Sequence, residues 1–351
     1  MIFMSERAST SKVLLDRLNR PLRDLRISVT DRCNFRCVYC MPREVFGPGY
    51  AFVPRKDLLT LEEIARVAQV FASLGMRKVR ITGGEPLIRR NLEHLIEMID
   101  TTEGVEDISL TTNGSMLTSV RAASLKQAGL KRLTISLDAL DDATFKRIND
   151  VDYPASRVLD GIDNARAAGF ADIKVNAVVR RGFNEHAVLD LVKHFRHSGC
   201  IVRFIEYMDV GETNGWNLDD VIPAAELVDR IDALYPLEAV SPNYPGEVAK
   251  RWRYRDGAGE IGFITSVTQS FCGDCSRARL SAVGELYTCL FGTQSHDLRS
   301  LLRSEADDAQ LLQAVSEIWQ ERADRYSELR ATATPVPLTG QAKVEMSHIG
   351  G

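Results

Sequence analysis

Residues 25–42 read LRISVTDRCNFRCVYCMP, a short β-strand pattern that runs directly into Cys33, Cys37 and Cys40. The spacing C-x3-C-x2-C places all three thiols on one loop, at the carboxyl end of the first predicted strand. Three thiolates can bind three irons of a 4Fe–4S cluster, whereas complete ligation by the protein requires four cysteines. The fourth iron is then open to an outside ligand. The alternative is a zinc site with a distant fourth ligand, or three unrelated thiols.

Short β-rich runs alternate with amphipathic segments from residue 25 to about 208. The runs are LRISV, KVRIT, DISLT, RLTISL, DIKVNAVV and IVRFIEYM. The predicted crossover helices are Leu61 to Leu74, Asn91 to Asp100, Ser119 to Ala128, Ser156 to Ala168 and Glu185 to His197. Six βα units are fewer than the eight of a closed barrel, so we predict an α/β fold. Its core is an incomplete (β/α)6 partial TIM-type barrel, with functional groups at the carboxyl ends of the strands.

The chain divides into three predicted segments, which are a lead-in at 1–24, the barrel at 25–208 and a C-terminal cluster-binding module at 209–351. The second boundary is placed where the alternation of strand and helix patterns ends, because residues 209–260 contain many turn signals and several aromatic residues. We expect a helical tail around Asp297 to Arg330. The chain ends in Gly350 and Gly351, which we expect to be extended and flexible.

Composition indicates an ordinary globular protein, with 44 basic residues, 48 acidic residues and a formal charge of -4. No general attraction to nucleic acid or to an anionic membrane follows from this charge. The first residues contain no apolar stretch of signal-peptide length, and no run of about 18 apolar residues occurs. We therefore expect a cytoplasmic protein. Because reducing conditions disfavour disulfides there, six of the seven cysteines are interpreted as metal ligands and Cys200 as a buried apolar residue.

A second cysteine group, Cys272, Cys275 and Cys289, has the spacing C-x2-C-x13-C. Zinc with three cysteines and one histidine would fit this spacing, with His296 as the possible fourth ligand. A second iron–sulfur cluster with an open iron would fit it equally well. The spacing alone leaves both interpretations open.

Basic residues recur on the predicted strands at positions two apart, which share a face. Lys78 and Arg80 form one such pair, and Arg277 and Arg279 another. Inward-facing cations, among which we also place Arg26 and Lys174, would need an anionic partner such as a nucleoside triphosphate. Pairing with carboxylates, or a place on the outer face, is the alternative. Thr111, in the run TTNG, could bond the same ligand, although such a run is often only a turn.

Taken together, these segments resemble the GTP 3′,8-cyclase family of molybdenum cofactor biosynthesis, within the radical S-adenosylmethionine (SAM) superfamily. The resemblance covers nearly the whole chain. It is carried by residues 25–42, VRITGGEPL at 79–87, LTTNG at 110–114, ISLDAL at 135–140, IKVNAVV at 173–179, IEYMDVG at 205–211, FCGDCSRARLSAVGELYTCLF at 271–291 and the terminal Gly-Gly. The chain departs from the family at Leu18-Asn19-Arg20, where a Phe-Gly-Arg-like turn is usual.

The resemblance implies two 4Fe–4S clusters, one on each cysteine group, and roles for further residues. It implies that SAM is bound at Tyr39, Gly84, Ser136 and Met208. It implies that GTP is bound at Arg26, Arg80, Thr111, Lys174, Arg277 and Arg279. Catalytic roles fall on Arg277, Arg279, Gly350 and Gly351, with the terminal glycines inserted toward the active site.

The implied reaction is the SAM-dependent radical cyclisation of GTP to (8S)-3′,8-cyclo-7,8-dihydroguanosine 5′-triphosphate. The implied partners are GTP, an electron donor, a second copy of the chain and cyclic pyranopterin monophosphate synthase, which takes the product. Two alternatives remain. A radical SAM peptide-modifying maturase would carry auxiliary clusters, usually on more cysteines, and a non-enzymatic iron–sulfur or zinc protein would leave the GGEP run and the basic set unexplained.

Overall fold

The computed structural model describes residues 13–332 and 343–350, and Gly351 lies outside this part of the chain. Each of the six predicted strands between residues 25 and 208 is present. They are β1 (Asp24–Ser28), β2 (Lys78–Thr82), β3 (Asp107–Thr112), β4 (Arg132–Ser136), β5 (Lys174–Val179) and β6 (Ile201–Glu206). The later strands are β7 (Leu237–Val240), β8 (Lys250–Tyr254), β9 (Glu260–Ile264), β10 (Arg277–Leu280), β11 (Glu285–Tyr287) and β12 (His296–Asp297).

Between residues 25 and 208 the helices follow the predicted segments closely, apart from one that the sequence did not predict. The α-helices are α1 (Leu61–Ser73), α2 (Leu92–Asp100), α3 (Ser119–Gln127), α4 (Asp142–Asn149), α5 (Ala155–Ala167), α6 (Val188–Phe195), α7 (Ala224–Asp232), α8 (Arg299–Leu302), α9 (Asp308–Glu321), α10 (Tyr326–Thr332) and α11 (Met346–Ile349). Short 3-10 turns lie at Arg55–Asp57, Pro86–Ile88, Glu185–Ala187 and Leu218–Asp220. The unpredicted helix is α4, where the side chain of Asp141 caps the start by accepting from the amide of Thr144 at 2.8 Å.

The strands form one open, mostly parallel sheet in which β1 to β6 lie side by side in chain order. The predicted partial barrel is confirmed. Strands β10 and β9, which come from the C-terminal part of the chain, extend it: β10 pairs in parallel with β1, and β9 pairs in parallel with β6. Antiparallel strands β11 and β12 continue one edge, and β8 and β7 continue the other. Residues after 208 therefore add strands to both edges of the barrel sheet.

Alternation along the strands separates an apolar outer face from a polar interior. In β2, Val79 and Ile81 are completely buried beneath the helices, while Arg80 between them faces the other way. Helix α1 covers this outer face and is fixed at its start by a reciprocal capping box between Thr60 and Glu63. The strands thus aim the side chains of alternate residues into the barrel.

The end of the chain differs from the extended segment that the sequence predicts. Met346–Ile349 form a helical turn, and Ile349 is completely buried. His348 reaches Glu285 of β11, with Nε2 and Oε2 3.0 Å apart. Burial of Ile349 and this polar contact explain why the backbone turns back onto the sheet. Within the described residues, no helix combines the length and apolarity needed to cross a bilayer.

Candidate active site

One deep cavity opens at the carboxyl ends of the parallel strands and brings together nearly all of the predicted site residues. Both cysteine groups line it. The other predicted residues on its wall are Arg26, Tyr39, Arg80, Gly84, Thr111, Ser136, Lys174, Met208, Arg277 and Arg279. Gly350 lies behind the wall against Thr82, and Gly351 falls outside the described residues.

The loop of the first cysteine group rests directly on the GGEP turn that follows β2. The amide of Gly84 donates to the carbonyl of Thr30 at 2.8 Å, and the amide of Glu85 donates to that of Arg32 at 2.8 Å. A Cβ atom added at Gly84 would lie 2.3 Å from the Arg32 oxygen. Glycine is therefore required here by the close approach of two backbones, in addition to any role in admitting a ligand.

Glu85 is a buried carboxylate that the sequence analysis did not single out. Its Oε1 accepts from the hydroxyl of Thr112 at 2.7 Å and from the amide of Leu87 at 3.0 Å. Burial raises the pKa of Glu85 to about 7, although these hydrogen bonds favour the charged form. The side chain ties the turn after β2 to the end of β3, so it fixes the floor beneath the cysteine loop. Its position inside the GGEP run is the sequence feature from which its role could have been predicted.

Tyr39 is held in the cavity wall by Asp138, a residue that sequence reasoning also missed. The Tyr39 hydroxyl donates to Asp138 Oδ2 at 2.9 Å, and Oδ1 accepts from the amide of Val178 at 2.8 Å. Burial raises the pKa of Asp138 to about 6. The run SLDAL, which carries Asp138, therefore orients the aromatic ring beside the cysteines Cys37 and Cys40.

In the second cysteine group, Cys275 lies in a cationic environment. Burial raises the pKa of the Cys275 thiol, but Arg277 and Arg322 outweigh it and lower that pKa to about 6. Their Nη2 atoms stand 3.1 and 3.2 Å from Cys275 Sγ. Burial instead raises to about 12 the pKa of Cys289 in the same group and that of Cys33 in the first group. His296, the possible zinc ligand, is exposed on β12 and does not line the cavity.

A wall of buried cations without carboxylate partners faces the two cysteine groups. Across residues 13–332 and 343–350, no carboxylate forms an ion pair with Arg26, Arg80, Lys174 or Arg279. Burial, followed by the charges of Arg203 and other arginines, lowers the pKa of Lys174 to about 7. Such crowding of like charge is costly unless an anion enters the cavity.

Several cationic side chains in the cavity were missed by sequence reasoning, namely Arg20, Arg132, Arg203 and Arg322. Arg203 lies on β6 at a position whose side chain points into the barrel, and its Nε donates to Asn176 Oδ1 at 2.9 Å. Strand alternation was the signal that could have found it. Lys78 lies beside this wall, with Nζ 3.1 Å from the centre of the Tyr244 ring.

Two buried polar atoms of the predicted GTP-binding residues have no hydrogen-bond partner among the described residues. They are the hydroxyl oxygen of Thr111 and Nε of Arg279. Buried polar groups are almost always paired in folded proteins. These two atoms are therefore positioned to bond a polar ligand, and they accord with an anionic, hydrogen-bonding molecule.

Two sequence profiles match the chain in succession. The profile of the radical SAM superfamily matches residues 27–195, and the profile named Molybdenum Cofactor Synthesis C matches residues 200–328. Among solved structures, Streptococcus suis SuiB bound to S-adenosylmethionine is similar in fold, with a TM-score of 0.59 at 13% identity over 86% of this chain and 69% of that one.

Relatives with a curated name align over almost the whole chain. The GTP 3′,8-cyclase of Acidothermus cellulolyticus is 55% identical, over 96% of this chain and 98% of its own. That of Xanthomonas axonopodis pv. citri is 50% identical over 96% and 98%, and that of Staphylococcus epidermidis strain RP62A is 46% identical over 97% and 99%. With both cysteine groups and the cationic wall in one cavity, this chain belongs to the GTP 3′,8-cyclase family of radical SAM enzymes.

Proposed function

We propose that this protein converts GTP to (8S)-3′,8-cyclo-7,8-dihydroguanosine 5′-triphosphate, the first step of molybdenum cofactor biosynthesis. The observation that carries the proposal is a single cavity in which two groups of thiols face a wall of unpaired cations. The thiols suit redox cofactors, and the cations suit a triphosphate. Relatives named GTP 3′,8-cyclase at 46 to 55% identity give the reaction its identity.

The first cysteine group fits a 4Fe–4S cluster with one open iron. Cys33, Cys37 and Cys40 would hold it, and SAM would lie beside Tyr39, Gly84, Ser136 and Met208, which line the same cavity. When bound, the cluster and SAM supply the 5′-deoxyadenosyl radical that removes a hydrogen from the substrate. The chain would hold these groups inside a walled cavity, and it orients Tyr39 through the hydrogen bond to Asp138.

Cys272, Cys275 and Cys289 would hold a second cluster, whose open iron would meet the guanine of GTP. Around one zinc ion the thiolates would stand about 2.3 Å from the metal and so roughly 4 Å from one another. In the described part of the chain, no three His, Cys, Asp or Glu side chains converge closely enough to hold a single ion. The second cluster is proposed from the family resemblance, and the arginines beside Cys275 favour the thiolate form that a metal ligand needs.

The substrate's triphosphate would supply the negative charge that the cationic wall lacks. Arg26 and Arg80 reach the cavity from the adjacent strands β1 and β2, and Lys174 reaches it from β5, so they can contact phosphate oxygens from different sides. Thr111 offers an unpaired hydroxyl. Arg277 and Arg279 would face the end of GTP nearest the second cluster, because Arg277 contacts Cys275.

The chain end completes the proposal. A Cβ at Gly350 would lie 2.0 Å from Cγ2 of Thr82, a cavity residue, so the backbone passes close to the reaction chamber. Gly350 and Gly351 are proposed to order the site. A homodimer, an electron donor, transfer of product to cyclic pyranopterin monophosphate synthase and a cytoplasmic location are proposed from the family resemblance. The peptide-modifying and non-enzymatic alternatives are not favoured by any described contact.

The test uses anaerobically reconstituted protein with SAM, a reductant and GTP deuterated at C3′. We expect deuterium in the 5′-deoxyadenosine that mass spectrometry detects. Formation of 5′-deoxyadenosine without deuterium would support SAM cleavage but would refute hydrogen abstraction from C3′ of GTP. No 5′-deoxyadenosine at all would refute the enzymatic proposal. The matched control carries Cys33→Ala, which removes one ligand of the first cluster.

A further inference from the structure

Three charged side chains form a fully buried network behind the second cysteine group. Asp16 accepts from Arg20, with Nε and Oδ2 2.6 Å apart, and from Arg322, with Nη1 and Oδ2 3.2 Å apart. The side chains of Asp16, Arg20 and Arg322 are at most 1% exposed. Asp16 and Arg20 precede β1, whereas Arg322 directly follows α9. The network, here called the Arg–Asp–Arg triad, therefore joins the two ends of the described core.

The triad holds the loop that carries Cys272 and Cys275. Arg20 Nη1 donates to the carbonyl of Cys272 at 2.8 Å, and Arg322 Nη1 donates to that of Cys275 at 2.7 Å. Arg322 Nη2 also lies 3.2 Å from Cys275 Sγ. Each guanidinium thus contacts one cysteine of the pair, and the shared carboxylate fixes the two guanidinium groups relative to each other.

A second observation points from the triad to a ligand. Arg20 Nη2 is buried and has no hydrogen-bond partner among the described residues, and Arg20 lines the cavity beside the cysteines. An unpaired charged donor in that position is costly unless something accepts from it. A sulfur atom of a bound cluster would be such an acceptor.

We propose that the Arg–Asp–Arg triad positions the Cys272–Cys275 loop and donates N–H···S hydrogen bonds to the second cluster, which raises its reduction potential. This inference rests on the proposed function, since it requires that cluster. Hydrogen bonds to sulfur stabilise the reduced, more negative cluster. Asp324, which contacts Arg322 with Nε and Oδ2 3.3 Å apart, lies close enough to Cys289 for its charge to oppose that of the arginines. It is 30% exposed, so water reduces this opposing effect.

The test compares Arg322→Gln and Arg322→Lys with the wild-type holoenzyme. Each protein is reduced stepwise, and electron paramagnetic resonance follows the cluster signal that GTP perturbs and SAM does not. We expect the midpoint of that signal to fall in Arg322→Gln by about a tenfold change in the reduction equilibrium, or about 59 mV for one electron. Arg322→Lys should shift less, because it keeps the charge but loses the planar fork.

The matched control is Arg325→Gln, three residues away, where the side chain is 54% exposed and pairs with Glu328 on the surface. Its midpoint should equal that of the wild type. If Arg322→Gln loses the iron of the second cluster and keeps that of the first, the result supports the positioning of the Cys272–Cys275 loop by Arg322. The midpoint potential is then measured in Arg322→Lys instead. Wild-type midpoints in every variant that retains the cluster would overturn the proposal.

Failure of the proposed function is recognised in the wild-type protein before any variant is compared. If the second cluster is absent, the wild-type protein binds roughly four irons per chain rather than roughly eight. Alternatively, none of its cluster signals would respond to GTP. Either result removes the second cluster and with it the role of the triad.

Discussion

Oε2 of Glu85 accepts a hydrogen bond from the backbone amide of Asn113 at 2.7 Å, which joins the turn after β2 to the turn after β3. Asn113 in turn contacts the first cysteine loop, with Nδ2 2.9 Å from Asn34 Oδ1 and 3.8 Å from Cys33 Sγ. One buried carboxylate therefore connects two strand ends to a proposed cluster ligand.

The variant Glu85→Gln should lose stability and iron. A glutamine side chain has one carbonyl oxygen, whereas both oxygens of Glu85 accept hydrogen bonds. The NH2 group of the glutamine would therefore face either the backbone N–H of Asn113 or the donors of Thr112 and Leu87, and at least one buried donor would be left unpaired. The expected cost is about 1–3 kcal/mol of unfolding free energy. Thermal unfolding and iron content of the anaerobic protein measure it. Glu97→Gln, at a carboxylate that is 60% exposed, is the control and should match the wild type. Equal losses in both variants would contradict the role given to Glu85.

Gly84→Ala should displace the first cysteine loop. The new methyl group would meet the Arg32 carbonyl at 2.3 Å, a backbone atom that cannot swing away. We expect about 1–3 kcal/mol of destabilisation and loss of iron from the first cluster. Gly49→Ala is the control, because a Cβ there has no neighbour within 4 Å. Iron content and SAM binding distinguish the two, and a variant with full iron content would show that the loop tolerates the methyl group.

Binding of GTP should be accompanied by proton uptake at Lys174. Burial and neighbouring arginines lower the pKa of this lysine to about 7, so it is largely neutral at pH 8 in the free protein. Phosphates beside it raise that pKa again, so the complex holds one more proton. The dissociation constant should therefore rise by roughly tenfold per pH unit between pH 7.5 and 8.5.

Calorimetry in two buffers of different ionisation enthalpy measures this proton uptake. Lys174→Arg is the control, because arginine stays charged and its affinity for GTP should be flat over the same pH range. A wild-type affinity that is equally flat would place Lys174 away from the phosphates.

Gly350→Ala should impair turnover while leaving the clusters and the fold in place. The residue has φ 71° and its Cβ would meet Thr82 at 2.0 Å, so the last turn of the chain must shift. A displaced positioning element can cost roughly a hundredfold in rate. Gly257→Ala has a similar φ of 78° but no neighbour within 4 Å, so it tests backbone strain alone. Product formation and iron content are measured together, and unchanged turnover in Gly350→Ala would remove the chain end from the mechanism.

The sequence predicts the six central strands because their apolar alternation is strong and local. The same alternation places Arg80 and Arg279 inside the barrel, where the structure finds them. It does not predict the Arg–Asp–Arg triad, because Asp16 and Arg322 are 306 positions apart and neither belongs to a motif. Nor does it predict that β9 and β10 join the barrel sheet, since partner choice depends on tertiary packing. The ligand contacts of Tyr39, Gly84, Ser136 and Met208 remain predictions.

Because β9 and β10 come late in the chain, the edges of the barrel sheet are covered only late in synthesis. When the ribosome has synthesised the chain only as far as Glu206, the two edge strands β1 and β6 each still lack the parallel strand that later covers them. Exposed strand edges invite pairing with other chains. The nascent chain must therefore stay protected until β10 has emerged, so a fragment ending near residue 208 should aggregate when it is expressed alone. The second cysteine group is complete only after both edges can be covered, because Cys289 follows β9 and β10 in the chain.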